Sequence, residues 1–419
     1  MSAVFLHKVA PALRHRNFRR YFMGQIVSVI GSWIQTVAIS WAIYRVTNSV
    51  FLLGLAAFLI QGPQLVLTPL VGVWIDRCDK KRFLLAVQVF NLFLSTLLFT
   101  LAASDALSGS NLLVASALLG VLNSCDTPLR QSLLISLVDD KRDLSSAIAL
   151  NASVFTTGRF VGPLIAGLML STFSEAACFL ANALSFLALI AALLSIKLAG
   201  SEKKEGQVSS IKAALLEGFA FARRSPGIRT PLALLAIVNV TASSSLVLAP
   251  VFVAQVMRGD SVQLGWLLGA AGAGAVLATL LLAGRHALSR IALFLSMAPF
   301  LSVAGLWGLA AATRWDVAIV AMFLIGAGIA LTNVTTNSLL QNLIPQSLRG
   351  RLISLFAAIR FGMDAVGGLL AGWLASLLGP GWTVLIESLI LLALSLALFP
   401  SLKSIRTTLS KQTPGPADI

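Results

Sequence analysis

The stretch "GVWIDRCDKKR", residues 72–82, packs six charged side chains into seven positions: Asp76, Arg77, Asp79, Lys80, Lys81 and Arg82. A long run of mostly apolar residues lies on either side. A helix needs about 20 apolar residues to cross a bilayer. A charged turn between two such runs therefore reads as the loop of a transmembrane hairpin, and the question for the fold is whether the rest of the chain repeats it.

It does so from end to end. Of 419 residues 57% are hydrophobic and only 11% charged, against roughly a quarter charged in soluble domains, and the mean hydropathy is +0.90. The apolar runs are too long and too continuous for barrel strands, which alternate over short segments. Twelve spans are expected, near 22–44, 50–75, 83–103, 111–137, 145–171, 175–197, 230–256, 262–284, 291–312, 316–343, 351–378 and 381–400. The fold class is thus an all-α polytopic membrane protein, twelve transmembrane helices in two six-helix bundles, 1–197 and 230–400. The connection 198–229 holds "GSEKKEG" and the basic amphipathic "IKAALLEGFAFARR". That second segment reads equally as a helix on the membrane surface or as a soluble linker helix. Residues 401–419 form a cytoplasmic tail. The run after "LRHRNFRRYF" is long enough to be a retained span, and no cleavable signal is evident.

Lys and Arg set the orientation. The loops on the side of the termini carry 26 of them and the other side three, Arg45, Arg258 and Arg314. Both termini are expected in the cytoplasm, the protein lying in the inner (cytoplasmic) membrane. The net charge of +15 is parcelled into loops, so its partner is the anionic lipid face and not nucleic acid. Cys78, Cys125 and Cys178 are scattered and give neither a disulfide framework nor metal spacing. No Gly-x-x-x-x-Gly-Lys-Ser/Thr occurs, so nothing points to ATP; no cofactor or metal is expected. "GAAGAGAV" in the eighth span lacks the strand-turn-helix setting of a dinucleotide loop and reads as helix packing.

The halves echo each other. "SLLISLV" (132–138) returns as "SLLQNLI" (338–344), and Arg159 precedes Gly167 by the spacing at which Arg360 precedes Gly368. A six-plus-six parallel repeat places a substrate site between the halves near mid-membrane.

Charges within spans need a reason, because each costs roughly 2.5–3.5 kcal/mol at mid-bilayer on insertion scales. At 1.5 Å per residue Arg159 lies about 21 Å into the fifth span, Arg360 about 14 Å and Asp364 about 20 Å into the eleventh. Arg360 and Asp364 share a helix face, as do Asp126 and Arg130 nearer the cytoplasm. Each pair either neutralises itself between helices or serves proton coupling, and Arg130 alternatively reaches the interface. Arg159 has no acid at helical spacing. Glu387, early in the last span, is another buried-charge candidate, though its depth favours solvation near the far surface. Asn123, Asn239, Asn333, Asn337, Gln35, Gln61 and Gln64 bind substrate or join helices. Trp33, Trp41 and Phe22 either face a cavity or face lipid.

Gly72 and Asp76 are not explained by topology alone. A glycine one turn before the acid permits close helix approach, and the acid can then act as a conformational latch with Arg77, Lys80 and Lys81 around it. The spacing Gly-x-x-x-Asp-Arg-x-x-Lys-Lys resembles the signature of the major facilitator superfamily between its second and third spans. "DTPLRQSLLISLVDDKRDLSSAIALNASVFTTGRFVGPLIAGLML" (126–170) and "LIPQSLRGRLISLFAAIRFGMDAVGGLLAGWL" (343–374) are similar to spans 4–5 and 10–11 of its enterobactin-exporter-like branch, which also holds drug and metabolite exporters. Asp79 departs from the glycine usual there, and "GRHALSR" (284–290) lacks the acid in the second half. The resemblance implies a further role for Gly158, Gly162, Pro163 and Gly167: a Gly-x-x-x-Gly-Pro pattern on span 5 accompanies proton-exchanging exporters. By themselves these residues make a packing seam with a bend.

The leading expectation is a proton-coupled secondary transporter, an antiporter exporting a small amphipathic molecule (siderophore, drug or metabolite) by alternating access. Asp364 or Asp126 would switch, with arginine counter-charges. Partners are the substrate, protons and lipids; transporters of this repeat can work as monomers. An importer or lysophospholipid flippase on the same fold is the alternative. A membrane enzyme or sensor is disfavoured, since His7, His15 and His286 all sit in basic terminal-side segments.

Overall fold

The computed structural model describes residues 11–75, 78–138, 140–196, 219–282, 288–344 and 348–412. Among these there is no strand, and twelve helices are long and apolar enough to cross a membrane. We number them α1 (Arg16–Thr47), α2 (Val50–Ile75), α3 (Lys80–Ala103), α4 (Gly109–Ser136), α5 (Leu144–Thr172), α6 (Glu175–Ser195), α7 (Pro226–Val256), α8 (Ser261–Leu282), α9 (Leu288–Ala310), α10 (Trp315–Leu343), α11 (Arg349–Leu378) and α12 (Pro380–Gln412). Twelve crossings return the chain to the side it started from; that side is called the terminal side here, the opposite one the far side. α12 continues through Pro400 to Gln412 instead of ending with its apolar run. Leu402 is buried and Ile405 packs on the core there, which holds the extension in place.

Helix ends follow from local chemistry. Asp79, the residue out of line with the superfamily pattern, caps α3: its Oδ1 accepts the Arg82 N–H at 3.1 Å. An N-cap carboxylate satisfies an orphan donor and suits the helix dipole. Ser108 caps α4 in the same way. The basic terminal-side residues do more than set topology. Lys81 Nζ donates to Ile196 O at 2.6 Å and Arg20 Nη1 to Ser195 O at 2.6 Å, which satisfies carbonyls left bare at the end of α6. On the far side Arg45 pairs with Glu175 at 2.6 Å, tying α1 to α6.

The packing repeats with an offset of six. α1 packs on α5 and α6, α2 on α4, and α3 on α4 and α6; α7 packs on α11 and α12, α8 on α10, and α9 on α10 and α12. These are two six-helix bundles. They meet along α2–α11 and α5–α8, pairs that are themselves repeat-related. Both seams are built on glycine in their far-side halves. A Cβ at Gly54 would lie 2.6 Å from Gly368 O and 2.8 Å from Gly372 Cα; one at Gly167 would lie 2.7 Å from Ser261 O and 2.9 Å from Gly265 Cα. Backbone thus meets backbone, a closeness only glycine permits. Among the described residues no comparable packing joins α4 to α11 or α5 to α10 toward the terminal side. Among the described residues, backbone meets backbone between the bundles in the far-side halves of both seams.

The basic amphipathic segment falls mostly outside the described residues. Its last turn, 219–224, is helical, and Phe221 and Ala222 pack with Ile228, Leu232, Leu352 and Phe356. That end of it rests on protein.

Candidate functional site: a charged cavity between the bundles

Between the two seams lies a cavity of about 200 Å³, bordered by α1, α2, α5, α7, α8 and α11. Its wall is mostly aliphatic. The polar groups on it include Gln61, Arg159, Ser243 and Asp364.

α5 brings Arg159 there because its motif faces two ways. Gly158 and Gly162 look at α1, where a Cβ would lie 2.6 Å from Val29 Cγ1 and 2.4 Å from Trp33 Cβ respectively. Gly167 looks at α8 across the bundle boundary, and Pro163 lines the cavity. The seam read from the sequence is therefore two seams, one inside the first bundle and one between bundles. With α5 so close to α1, the Arg159 guanidinium stands 5.8 Å from the centre of the Trp33 ring. A cation over an indole face is attracted by about 0.5–2 kcal/mol. Arg159 has no ion-pair partner among the described residues, and Arg360 and Asp364 both lie within its electrostatic reach.

Asp364 comes from the second bundle on α11. Arg360, one turn earlier, has its guanidinium carbon 5.1 Å from the Phe361 ring centre. The pair expected at this spacing is not closed: Arg360 Nε and Asp364 Oδ1 are both buried without a hydrogen-bond partner. Ser243 faces the same carboxyl.

Ser243 was not foreseen. α7 is irregular at mid-length: it is regular over Pro226–Thr241, keeps helical dihedrals at 242–243 while its hydrogen-bond ladder breaks there, resumes over Ser244–Val251 and ends in a wide turn, Phe252–Val256. Broken backbone at membrane depth is tolerated only where it is buried in protein or lines a cavity, and here it does both. The sequence signal was "TASSSL" (241–246), whose hydroxyls compete for backbone groups.

Asp126 and Arg130 lie elsewhere. They form an ion pair of 2.5 Å, and Gln88 Nε2 donates to Asp126 Oδ1 at 2.6 Å. Arg130 Nη2 donates to Gln88 Oε1 at 3.3 Å and Ser28 Oγ at 3.4 Å. The Arg130 side chain is 4% exposed, so the idea that it reaches the interface is corrected: this is an internal strut of α1, α3 and α4. Glu387 also corrects its expectation. It is 7% exposed rather than solvated, and one carboxyl oxygen lies 2.6 Å from Ser244 Oγ. α12 starts at Pro380, but it packs on α7 and α9, and Thr383, Val384 and Ser388 around Glu387 are buried as well.

Of the proposed latch, Asp76 and Arg77 lie outside the described residues, Gly72 falls in the last turns of α2, Lys80 opens α3 and Lys81 binds α6. Trp33 borders the cavity, whereas Trp41 packs in the core and Phe22 stacks on Phe18 at 5.7 Å. Gln35 joins Ser95 at 2.6 Å and Asn182 at 2.8 Å, and Asn239 donates to Asn333 at 3.3 Å. These amides join helices within a bundle.

Two repeat-related six-helix bundles around a cavity with charges from both define a membrane transporter of the major facilitator type. The match to known proteins agrees and is finer. The chain belongs to the family described as transmembrane secretion effector, within the major facilitator superfamily, which it matches over residues 7–415. It is 26% identical over 366 residues to the staphyloferrin A transporter of Staphylococcus aureus (strain NCTC 8325 / PS 47), covering 86% of this chain and 89% of that one. It is 28% identical over 374 residues to the enterobactin exporter EntS of Shigella boydii serotype 4 (strain Sb227), covering 87% of each. Among solved structures, a bacterial homologue of the iron transporter ferroportin in an inward-facing state superposes with a TM-score of 0.67 at 19% identity, over 94% of this chain and 99% of that one. The nucleoside transporter NupG gives 0.70 at 12% identity, over 93% and 99%. The protein is a transporter and not an enzyme.

Proposed function

We propose that this protein is a proton-coupled exporter of a small amphipathic molecule, working by alternating access in the inner membrane. The observation that carries the reading is the cavity itself: Arg159 from one bundle and Asp364 from the other face one small space, and Asp364 keeps a buried oxygen without a hydrogen-bond partner. A low-dielectric site that holds incompletely paired charges favours whatever completes them. An oxygen-rich group on a substrate suits Arg159, and its apolar remainder suits Trp33 and the aliphatic wall. Asp364 is the proposed switching acid, because Asp126 is saturated by Arg130 and Gln88 while Asp364 keeps a bare oxygen beside the cavity. A proton on Asp364 changes its hold on Arg360 and Ser243, groups on α11 and α7, and so biases one bundle against the other.

The excess of Lys and Arg on the terminal side supports cytoplasmic termini; the arrangement then opens inward. We place the bundles at 1–197 and 230–400, with 198–229 as hinge, and assign Gly72, Asp76, Arg77, Lys80 and Lys81 to a latch on that face. Export as the direction is supported by the likeness to the enterobactin exporter, and a siderophore as cargo by the likeness to both relatives. The test is solute-driven proton flux in liposomes holding purified protein, with enterobactin and staphyloferrin A among the solutes. Asp364→Asn should abolish coupling and Asp126→Asn should not; unchanged coupling in Asp364→Asn removes this mechanism. Uptake in inverted but not right-side-out vesicles supports export, and the reverse favours an importer.

A further inference from the structure

The break in α7 does a second thing besides presenting Ser243 to the cavity. Its next residue, Ser244, turns the other way and meets α12. The Ser244 hydroxyl oxygen is in hydrogen-bond contact with two acceptors at once: the carbonyl of Thr241 on its own helix, and Oε2 of Glu387 at 2.6 Å. A hydroxyl has one proton and two lone pairs. If that proton goes to the Thr241 carbonyl, the Glu387 contact is oxygen against oxygen with nothing between. If it goes to Glu387, the Thr241 contact is left so. One proton serves one contact at a time; a second would satisfy both, and of the three groups only the carboxyl can carry it.

The surroundings agree. Glu387 is buried, and an ionised carboxylate out of water needs a cation or several donors. α12 packs on α7, α9 and α11. The charged residues described on those helices are Arg229 on α7, Arg290 on α9, and Arg349, Arg351, Arg360 and Asp364 on α11. Arg229, Arg290, Arg349 and Arg351 sit at the terminal-side ends of their helices, while Glu387 is two turns from the far-side end of α12. Arg360 and Asp364 interact with each other and with Arg159, and Ser244 is the one polar group described as acting on Glu387. Among the described residues nothing charged pairs with the carboxylate.

We infer that Glu387 carries a proton in this conformation, that it donates this proton to Ser244 Oγ while Ser244 donates to the Thr241 carbonyl, and that the resulting chain ties the break in α7 to α12. This makes Glu387, which does not line the cavity, a protonation site distinct from the cavity acid Asp364. The next residue along the break, Ser243, does line the cavity and faces Asp364. Loss of the proton from Glu387 would leave a buried charge that draws the Ser244 hydroxyl proton away from the Thr241 carbonyl, and so alter the turn that carries Ser243. The site thus links the protonation of α12 to the cavity wall.

The proton itself can be read without any transport assay, so this inference stands or falls apart from the exporter reading. Infrared absorption of full-length protein in lipid nanodiscs separates the C=O stretch of a protonated carboxyl from that of a carboxylate. At neutral pH, wild type minus Glu387→Gln should show a protonated-carboxyl band, and that band should persist in Asp364→Asn. Glutamine can still donate to Ser244, so this variant keeps the tie. Ser244→Ala is the second variant: it should shift the band without removing it, because the carboxyl loses its acceptor and not its burial. Raising the pH should bleach the band in wild type, and the thermal stability lost alongside should not be lost in Glu387→Gln. Absence of the band at neutral pH, its loss in Asp364→Asn instead, or equal alkaline destabilisation of wild type and Glu387→Gln would each overturn the assignment.

Discussion

Alanine at Gly54 and Gly167 should pull the far side open. The Cβ at Gly54 would approach Gly368 O to 2.6 Å, where ordinary contact begins near 3.4 Å. The obstacle is backbone, so no rotamer relieves it, and α2 must move from α11 by the difference, about 0.8 Å. Gly167 opposes Ser261 O at 2.7 Å on the other seam. Overpacking of this kind costs roughly 1–3 kcal/mol per site. It is felt only where the seam is closed; once the bundles part on the far side the methyl meets nothing. The gain in helix propensity from Gly to Ala, about 1 kcal/mol, applies in both states and cancels. Each substitution should therefore shift the population toward the far-side-open state by roughly 5- to 150-fold. The two seams share no residue, so their effects should add. The assay is a spin-label distance between Ser110→Cys on α4 and Asp316→Cys on α10, both exposed on the far side, with the native cysteines replaced. The distance distribution should lengthen in the double variant. Gly227→Ala, whose nearest neighbour would be 3.9 Å away, is the control. If the double variant and the control give the same distribution as the parent, the seams do not hold the closed face.

Asp126→Ala should destabilise the protein by about 3–5 kcal/mol, since it leaves a buried arginine without its partner; a thermal melt reads this, and Asp126→Asn should be milder. Asp79→Ala should cost about 1 kcal/mol through the lost cap, and Asp79→Gly only a few tenths, both seen as small shifts in the same melt. Gly162→Ala should push α5 off α1, where its Cβ would run into Trp33 Cβ, costing roughly 1–3 kcal/mol in the same melt and changing tryptophan fluorescence.

The fold was legible because a bilayer imposes one strong rule: backbone must be satisfied within the span. Hydropathy and the charged turn at 72–82 place every helix close to where it lies. The site was legible only in part. Arg159 and Asp364 stand out from sequence because charge at mid-membrane is costly, and the structure brings both to one cavity. The pairing of Arg360 with Asp364 was inferred from helical spacing, which puts two residues on one face but does not fix their rotamers. Glu387 was misread because depth along its own helix says nothing of what the neighbouring helices cover. The break in α7 escaped because hydropathy averages across Thr241–Ser245 without registering that three consecutive serines can replace helical hydrogen bonds. The halves of the span-5 motif looked like one seam, since spacing alone does not say which neighbour each glycine meets.

The most direct test of the account places a single cysteine at Gln61, which borders the cavity, in an otherwise cysteine-free protein reconstituted in sealed vesicles. Membrane-impermeant maleimide should label it from the terminal side in the parent, and from the far side once Gly54→Ala and Gly167→Ala are added. Labelling from neither side in either protein would mean that the space between the bundles is a sealed packing void, and alternating access around it would be wrong.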